Sequence, residues 1–281
     1  MKESEGTAAY DPEEAGKTYD QLGEFAAQRL KELSEMLAPF IEVTDKYGRL
    51  MCRVVCLLGT IKPASVQDRV VRDLTADVFD SLYEARSLIL GSKLPYAWLL
   101  GRRAYESLSL LSACMLDPKY AEDWESGKQL PNAEIRKFLG KTFGKEGEEQ
   151  ARDLYRFFSL GSHPNRELVA YRWLGEGNMF TLGVVGVPGL LMTADFCHKH
   201  LDLWFWFGAS VSSFYRELIS QNDKEYMPAY FKAADELRET MKWLMKSFNH
   251  LLEEQQEEAA KNKHQILLPS TAKKGDNRHK R

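Results

Sequence analysis

Between Arg152 and Asn165 the chain reads Arg-Asp-Leu-Tyr-Arg-Phe-Phe-Ser-Leu-Gly-Ser-His-Pro-Asn. At about 100° per residue in a helix, Arg152, Tyr155, Arg156, Ser159 and His163 project onto one arc, while Leu154, Phe157, Phe158 and Leu160 point elsewhere. The stripe therefore gathers two guanidiniums, a phenol, a hydroxyl and an imidazole. An imidazole titrates nearest neutral pH and suits acid–base work, and guanidiniums neutralise developing negative charge. A structural reading stands beside the chemical one. Upstream on the same arc lie Glu148 and Glu149, which would continue a solvated face, and Pro164 after Gly161 disfavours a helical conformation at His163.

A counterpart is expected in the helix opened by Pro95, where Arg102, Glu106 and Ser109 share one face beneath Trp98. Leu99, Leu108, Leu110 and Leu111 around them predict that much of this helix is buried. A buried Arg needs acceptors and a buried Glu needs donors, because an unpaired charge inside a protein is very costly. Arg102 and Glu106 are thus expected to meet Tyr155, Ser159 and His163 across two packed helices, with Arg152 part of the same binding or structural network.

An Arg-x3-Glu helix followed by a Tyr-x3-Ser-x3-His helix resembles a family of uncharacterised bacterial all-helical proteins. More loosely, the region resembles the higher-eukaryote-and-prokaryote nucleotide-binding (HEPN) helical bundles, whose ribonuclease members carry an Arg followed a few residues later by a His. Arg156 and His163, with six residues between them, fit that spacing, with Phe157 where a polar residue commonly follows the Arg. The resemblance implies metal-independent RNA cleavage, with His163 as general acid or base and Arg156 or Arg152 stabilising the phosphorane. Tyr155 and Ser159 would then orient the imidazole or hold phosphate oxygens. It also implies RNA as a partner and a homodimer, since such sites form at a dimer interface.

The elements that must position these groups read as helices almost throughout. Leu22, Phe25, Ala26, Leu30, Leu33, Leu37 and Phe40 recur at helical steps, and further helices are expected over Lys46 to Leu58, Val66 to Leu90 and Pro95 to Leu116. Asp117 to Gly127 and Asn132 to Phe143 follow as short helices with polar caps, then Lys145 to Leu160. From Leu168 to Leu191 five glycines interleave with Val, Tyr, Trp and Phe, which predicts a β-hairpin or extended insertion. Thr193 to Ile219 returns to helix around Trp204-Phe205-Trp206-Phe207, and Glu225 to Lys261 closes the domain with Leu237, Met241, Leu244, Phe248 and Leu251 on one seam. The fold class is therefore all-α: a bundle of about eight helices with a Gly-rich insertion. It forms a single domain over 11–262, followed by a disordered basic tail over 263–281.

Composition bounds the function. The chain has 281 residues, 44% hydrophobic and 28% charged, with a net charge of −3, which suits a globular domain and not a broad nucleic-acid coat. Four cysteines are too few for a disulfide scaffold, and the first residues lack the apolar core of a signal peptide, so a cytoplasmic location is expected. The charge-poor stretches at Gly177 to Ala194 and Leu203 to Tyr215 are too glycine-rich or too short to span a bilayer, so membrane insertion is not expected. Cys52 and Cys56 read as small buried residues, not a redox pair. Asp195, Cys197, His198, His200 and Asp202 offer ligand types on one helix, but no second ligand pair accompanies them, so no metal and no other cofactor is expected. Two functional readings remain: a non-catalytic helical module with an inter-helix polar site for packing, a ligand or a partner, and a HEPN-like endoribonuclease using His163 and Arg156.

Overall fold

A computed structural model describes residues 24, 27–28, 30–91, 93–162, 173–174, 179–180 and 187–266. The protein is all-helical in the sense the apolar spacing predicts. Eight helices carry the fold among the described residues: α1 (Ala38–Thr60), α2 (Val66–Leu90), α3 (Leu94–Leu116), α4 (Pro118–Glu125), α5 (Asn132–Ser162), α6 (Val187–Phe214), α7 (Arg216–Asn222) and α8 (Tyr226–Ile266). A further helical segment over 30–36 precedes α1.

Local chemistry accounts for the ends. Ser65 accepts from the Asp68 amide at the start of α2, and Asp117 accepts from the Lys119 amide at the start of α4. Prolines occupy the first turns of α1, α3 and α4, where a missing N–H costs nothing. Pro39 explains one departure from expectation. A helix was expected to run through Phe40 and another to begin at Lys46; instead the chain breaks at Leu37 and α1 starts at Ala38.

The two helices expected on either side of Gly144 form one run, α5, broken at Gly144 itself, whose φ of 77° and ψ of −178° are non-helical. That φ lies where a Cβ would be strained, so glycine makes the corner. In the expected insertion, Trp173–Leu174 pairs antiparallel with Met179–Phe180, and helix resumes at Val187, four residues before the extended stretch was expected to end. The remainder of the insertion lies outside the described residues. So do 267–281; the helical backbone of α8 continues to Ile266, past the expected boundary at 262.

The core forms around α6. Phe196, Cys197, Leu201, Leu203, Trp204, Phe207 and Val211 are all buried, as expected for a helix apolar on nearly every side. α3 packs against α2 and α5, while α8 packs against α6 and α1. Cys52 and Cys56 are a correction: both are exposed on α1, with their sulfurs 4.0 Å apart, whereas Cys114 and Cys197 are buried. No helix among the described residues is long and apolar enough to cross a membrane.

Candidate functional site

The closeness of α3 to α5 begins with Gly101. A Cβ there would fall 2.5 Å from Cε1 of Phe158, so only a glycine lets the buried Phe158 ring lie against the α3 backbone. Trp98, Phe157, Phe158 and Phe196 then pack as a cluster of tilted and edge-on rings with centroids 5.1 to 6.2 Å apart. On this seam Arg102 donates from Nε to Oε1 of Glu106 at 2.9 Å, one turn along α3. The two side chains are 26% and 32% exposed, so water screens the pair in part.

Tyr155 reaches the same seam from α5. Its ring centroid lies 5.9 Å from Cζ of Arg102 and 5.9 Å from the Tyr105 ring. Closer still is Arg136, whose Cζ stands 4.0 Å from the Tyr155 centroid, well within cation–π range. Burial pushes the Tyr105 phenol up, while the Ser109 hydroxyl and the Arg136 guanidinium pull it the other way. Among the described residues, neither the Tyr105 hydroxyl nor Nη1 of Arg136 has a hydrogen-bond partner. Among the described residues, the junction is therefore a guanidinium–aromatic contact with the Arg102–Glu106 ion pair at its edge.

The remaining members of the stripe separate. Ser159 lies half-buried on the inward side of α5. Arg152 is exposed and donates to Oε1 of Glu148 at 2.6 Å, and Arg156 is 68% exposed with Asp153 at 3.7 Å. Both cations thus pair along their own helix and do not join Tyr155, which corrects the expectation for Arg152. Ser109, expected beside Glu106, is buried and donates back to the Tyr105 carbonyl at 2.8 Å. His163 lies outside the described residues.

Behind the junction is a cleft of about 930 Å³, within the ~300–1,000 Å³ typical of small-molecule sites. Helices α3, α5, α6 and α8 line it. Trp206 connects the two regions: its ring packs 6.0 Å from that of Tyr105 and also faces the cleft. Phe143, at the Gly144 corner, and Phe214 are exposed apolar residues on its wall. Ser112, only 3% exposed, lines it too, and its hydroxyl has no hydrogen-bond partner among the described residues.

Where Lys199 and Asp202 line the cleft, the chemistry changes. The Asp202 carboxylate has Lys199 Nζ at 3.8 Å and His198 Nδ1 at 3.7 Å, both beyond hydrogen-bond distance. Burial pushes the Asp202 carboxyl up to about 6 against the pull of Lys199, and nearby Asp195 adds to the rise. Burial also raises Asp195 and lowers His198 to about 4, the latter aided by the charge of Lys199. His200 points the other way, into the core, where Nε2 lies 2.9 Å from the Leu82 carbonyl and burial holds the imidazole down at about 4. Among the described residues, no three His, Cys, Asp or Glu side chains gather to hold a metal.

Sequence reasoning missed Arg136, Trp206 and Ser112 as site residues, and considered Asp202 only as a metal ligand. Arg136 adjoins Ile135 and Leu139, the buried stripe of its helix, so its place at the edge of that stripe was the available signal. The fold and site together define an all-α bundle with a braced inter-helix junction and an apolar cleft behind it. No family model, curated protein or solved structure matches the chain.

Proposed function

We propose that the protein is a non-catalytic, ligand-binding helical module. The junction of Arg102, Glu106, Arg136 and Tyr155 braces α3 against α5, and the cleft that these helices build with α6 and α8 receives the ligand. The observation that carries this reading is the cleft itself: a cavity of about 930 Å³ whose wall combines Met, Leu, Phe and Trp side chains with polar and charged ones, among them Ser112, Gln150, Lys199 and Asp202. Such walls favour an apolar body, and the polar groups fix its orientation.

The neutral dye Nile red tests the reading. Its fluorescence is expected to rise on adding the protein and to saturate, and an Ala209→Trp variant, which puts an indole into the cleft from α6, is expected to lose the rise at an unchanged melting temperature. Equal brightening by the variant would sink the cleft as the binding site.

A second reading, the metal-independent endoribonuclease with His163 as acid or base and Arg156 at the phosphate, draws support from one observation. Helix α5 continues through Ser162, so a single helix carries the Arg156 end of the spacing up to the residue before His163. Mixed RNA incubated in EDTA with the protein and with a His163→Ala variant separates the two readings. Cleavage lost in the variant favours the nuclease, whereas intact RNA with both, or equal cleavage by both, removes it.

A further inference from the structure

The cleft is polar where α6 presents Lys199 and Asp202, and mainly apolar from Phe205 to Phe214. From Lys199 to Ser213 the α6 wall runs about 21 Å at 1.5 Å per residue, which suits an elongated body.

Charge accounting at the polar part points to what the ligand carries. Arg238, on the wall, is held by Asp235 at 2.8 Å and lies over the Phe205 ring at 4.9 Å. Asp153 has Arg156 at 3.7 Å. Those two charges are matched by neighbours outside the cleft. What remains is Lys199 with Asp202 and, two turns back on the same face of α6, Asp195. His198 adds no charge at neutral pH, because burial keeps its imidazole unprotonated. Among the described residues, two half-buried carboxylates therefore lie in the field of one ammonium, and the cluster there is short of one positive charge. No donor hydrogen-bonds Asp202 among the described residues; the Lys199 ammonium stands 3.8 Å away and the neutral His198 imidazole 3.7 Å.

A separate observation also points to a ligand. Ser112 is buried on the α3 wall, and a helical serine there would ordinarily bond to the carbonyl one turn back, as Ser109 does to Tyr105. Its hydroxyl has no such partner. A buried hydroxyl left unmet costs on the order of 1–3 kcal/mol, and a polar atom on a bound molecule would remove that cost.

We propose that the cleft binds an elongated, mainly apolar molecule ending in a cationic amine, with the ammonium against Asp202, the apolar body along Phe205, Trp206 and Ala209, and a polar atom within reach of the Ser112 hydroxyl. This rests on the cleft being a ligand site. The ammonium supplies both the missing positive charge and the hydrogen-bond donors that Asp202 lacks; an alcohol of the same length supplies one donor without the charge, and a carboxylate supplies neither.

Displacement of Nile red at neutral pH by octylamine, octanoate and octanol, three molecules of one body and three head groups, tests the assignment. Octylamine is expected to compete about tenfold more tightly than octanol, and octanoate less tightly than either, a tenfold step corresponding to ~1.4 kcal/mol. In an Asp202→Asn variant the amine advantage is expected to vanish while octanol competes as before. Preference for octanoate, equal displacement by all three, or an amine advantage that survives Asp202→Asn overturns the amine assignment and leaves the cleft reading standing. Failure of the dye to bind the wild-type protein at all overturns both. The variant replaces a buried charge by a neutral amide of the same shape, so its melting temperature, measured alongside, is expected to be no lower than wild type.

Discussion

In the junction, the Arg136 guanidinium covers the Tyr155 ring at 4.0 Å and Arg102 is held by Glu106, although Arg136 Nη1 and the Tyr105 hydroxyl have no hydrogen-bond partner among the described residues; in the cleft, Asp202 has no hydrogen-bond donor and Ser112 no partner among them. Both regions draw on α3 and α5 and Trp206 touches both, so two neighbouring regions of one helix pair differ in chemistry. Where charged groups are matched within the chain, they hold helices together. Where they are left short in an apolar enclosure, the protein carries a cost that only something from outside can remove. The two regions should therefore respond to substitution in opposite directions, with junction residues stabilising and the cleft carboxylate destabilising the unliganded fold.

The largest effect belongs to the aromatic seam beneath the junction. Phe158 is fully buried against Gly101, Phe157 and Phe196, and Phe158→Ala is expected to cost about 3–5 kcal/mol in urea denaturation, as large-to-small core substitutions do. Because this seam fixes α3 against α5, Nile red binding should weaken in the same variant. A loss of stability under about 1 kcal/mol would mean that the brace lies elsewhere.

Asp202→Asn should act in the opposite sense. Its carboxyl is pushed from 3.8 up to about 6, so below 3.8 folded and unfolded states are both protonated and the substitution changes little. Above about 6 the folded protein carries a buried charge that the unfolded chain carries in water, and the penalty is complete. A shift of this size corresponds to about 3 kcal/mol at 1.36 kcal/mol per unit, reduced to roughly 1–2 for a side chain still 29% exposed. Asp202→Asn is therefore expected to be the more stable protein at neutral pH, with the gain lost as pH falls from about 6 to about 4. His198 and His200 have the opposite sign: the unfolded chain takes up their protons as pH falls through 6.5, whereas the folded imidazoles wait until about 4, so stability declines across that window. In wild type the Asp202 gain on acidification offsets part of this decline. Thermal denaturation of the two proteins across that range should show the steeper acid loss in the variant, and parallel curves would refute a strained carboxylate.

How much of this was legible beforehand follows from the range over which each contact acts. Val70, Leu74, Val78, Leu82 and Ala85 recur at helical steps along α2, and all are buried. The Arg102–Glu106 pair was legible for the same reason, since partners four residues apart on a helix meet whatever the tertiary fold. Arg152 and Arg156 misled because an arc on a wheel does not say which part faces inward; the residues that pack α5 are Leu154, Tyr155 and Phe158, leaving the two cations at the solvent side. Arg136 on Tyr155 joins the two halves of α5 across the Gly144 corner, and no periodicity encodes that approach. Nor does any encode the cleft, which is the space that four packed helices leave unfilled. Within Trp204-Phe205-Trp206-Phe207 the sequence announces burial, yet only packing separates the buried Trp204 and Phe207 from the half-buried Phe205 and Trp206 that line the cleft.

Arg136→Met keeps the length and apolar stem of the side chain while removing the cation over Tyr155. It is expected to cost about 1 kcal/mol, within the ~0.5–2 kcal/mol found for guanidinium–aromatic pairs from exposed to desolvated sites. Paired with Tyr155→Leu in a double-mutant cycle, it should show coupling of that order. Additive effects would reduce the contact to proximity and weaken the contrast with the cleft.

The smallest effect is expected from the pair that the sequence made most prominent. Arg102 and Glu106 meet at 2.9 Å, but at 26% and 32% exposure both remain partly hydrated, and one turn of a helix fixes their approach even without tertiary structure. Coulomb attraction in such a setting is largely offset by lost hydration and side-chain freedom, so an Arg102→Met, Glu106→Gln cycle should give a coupling near 0.3–0.5 kcal/mol, about that of other partly exposed helix pairs. Added salt should lower it further. A salt-insensitive coupling above about 1.5 kcal/mol would require that the pair be dry, as buried, hydrogen-bonded charges are. The brace would then rest on this ion pair more than on Arg136 and the aromatic seam, and the division between a matched junction and an unmatched cleft would be sharper than the present contacts make it.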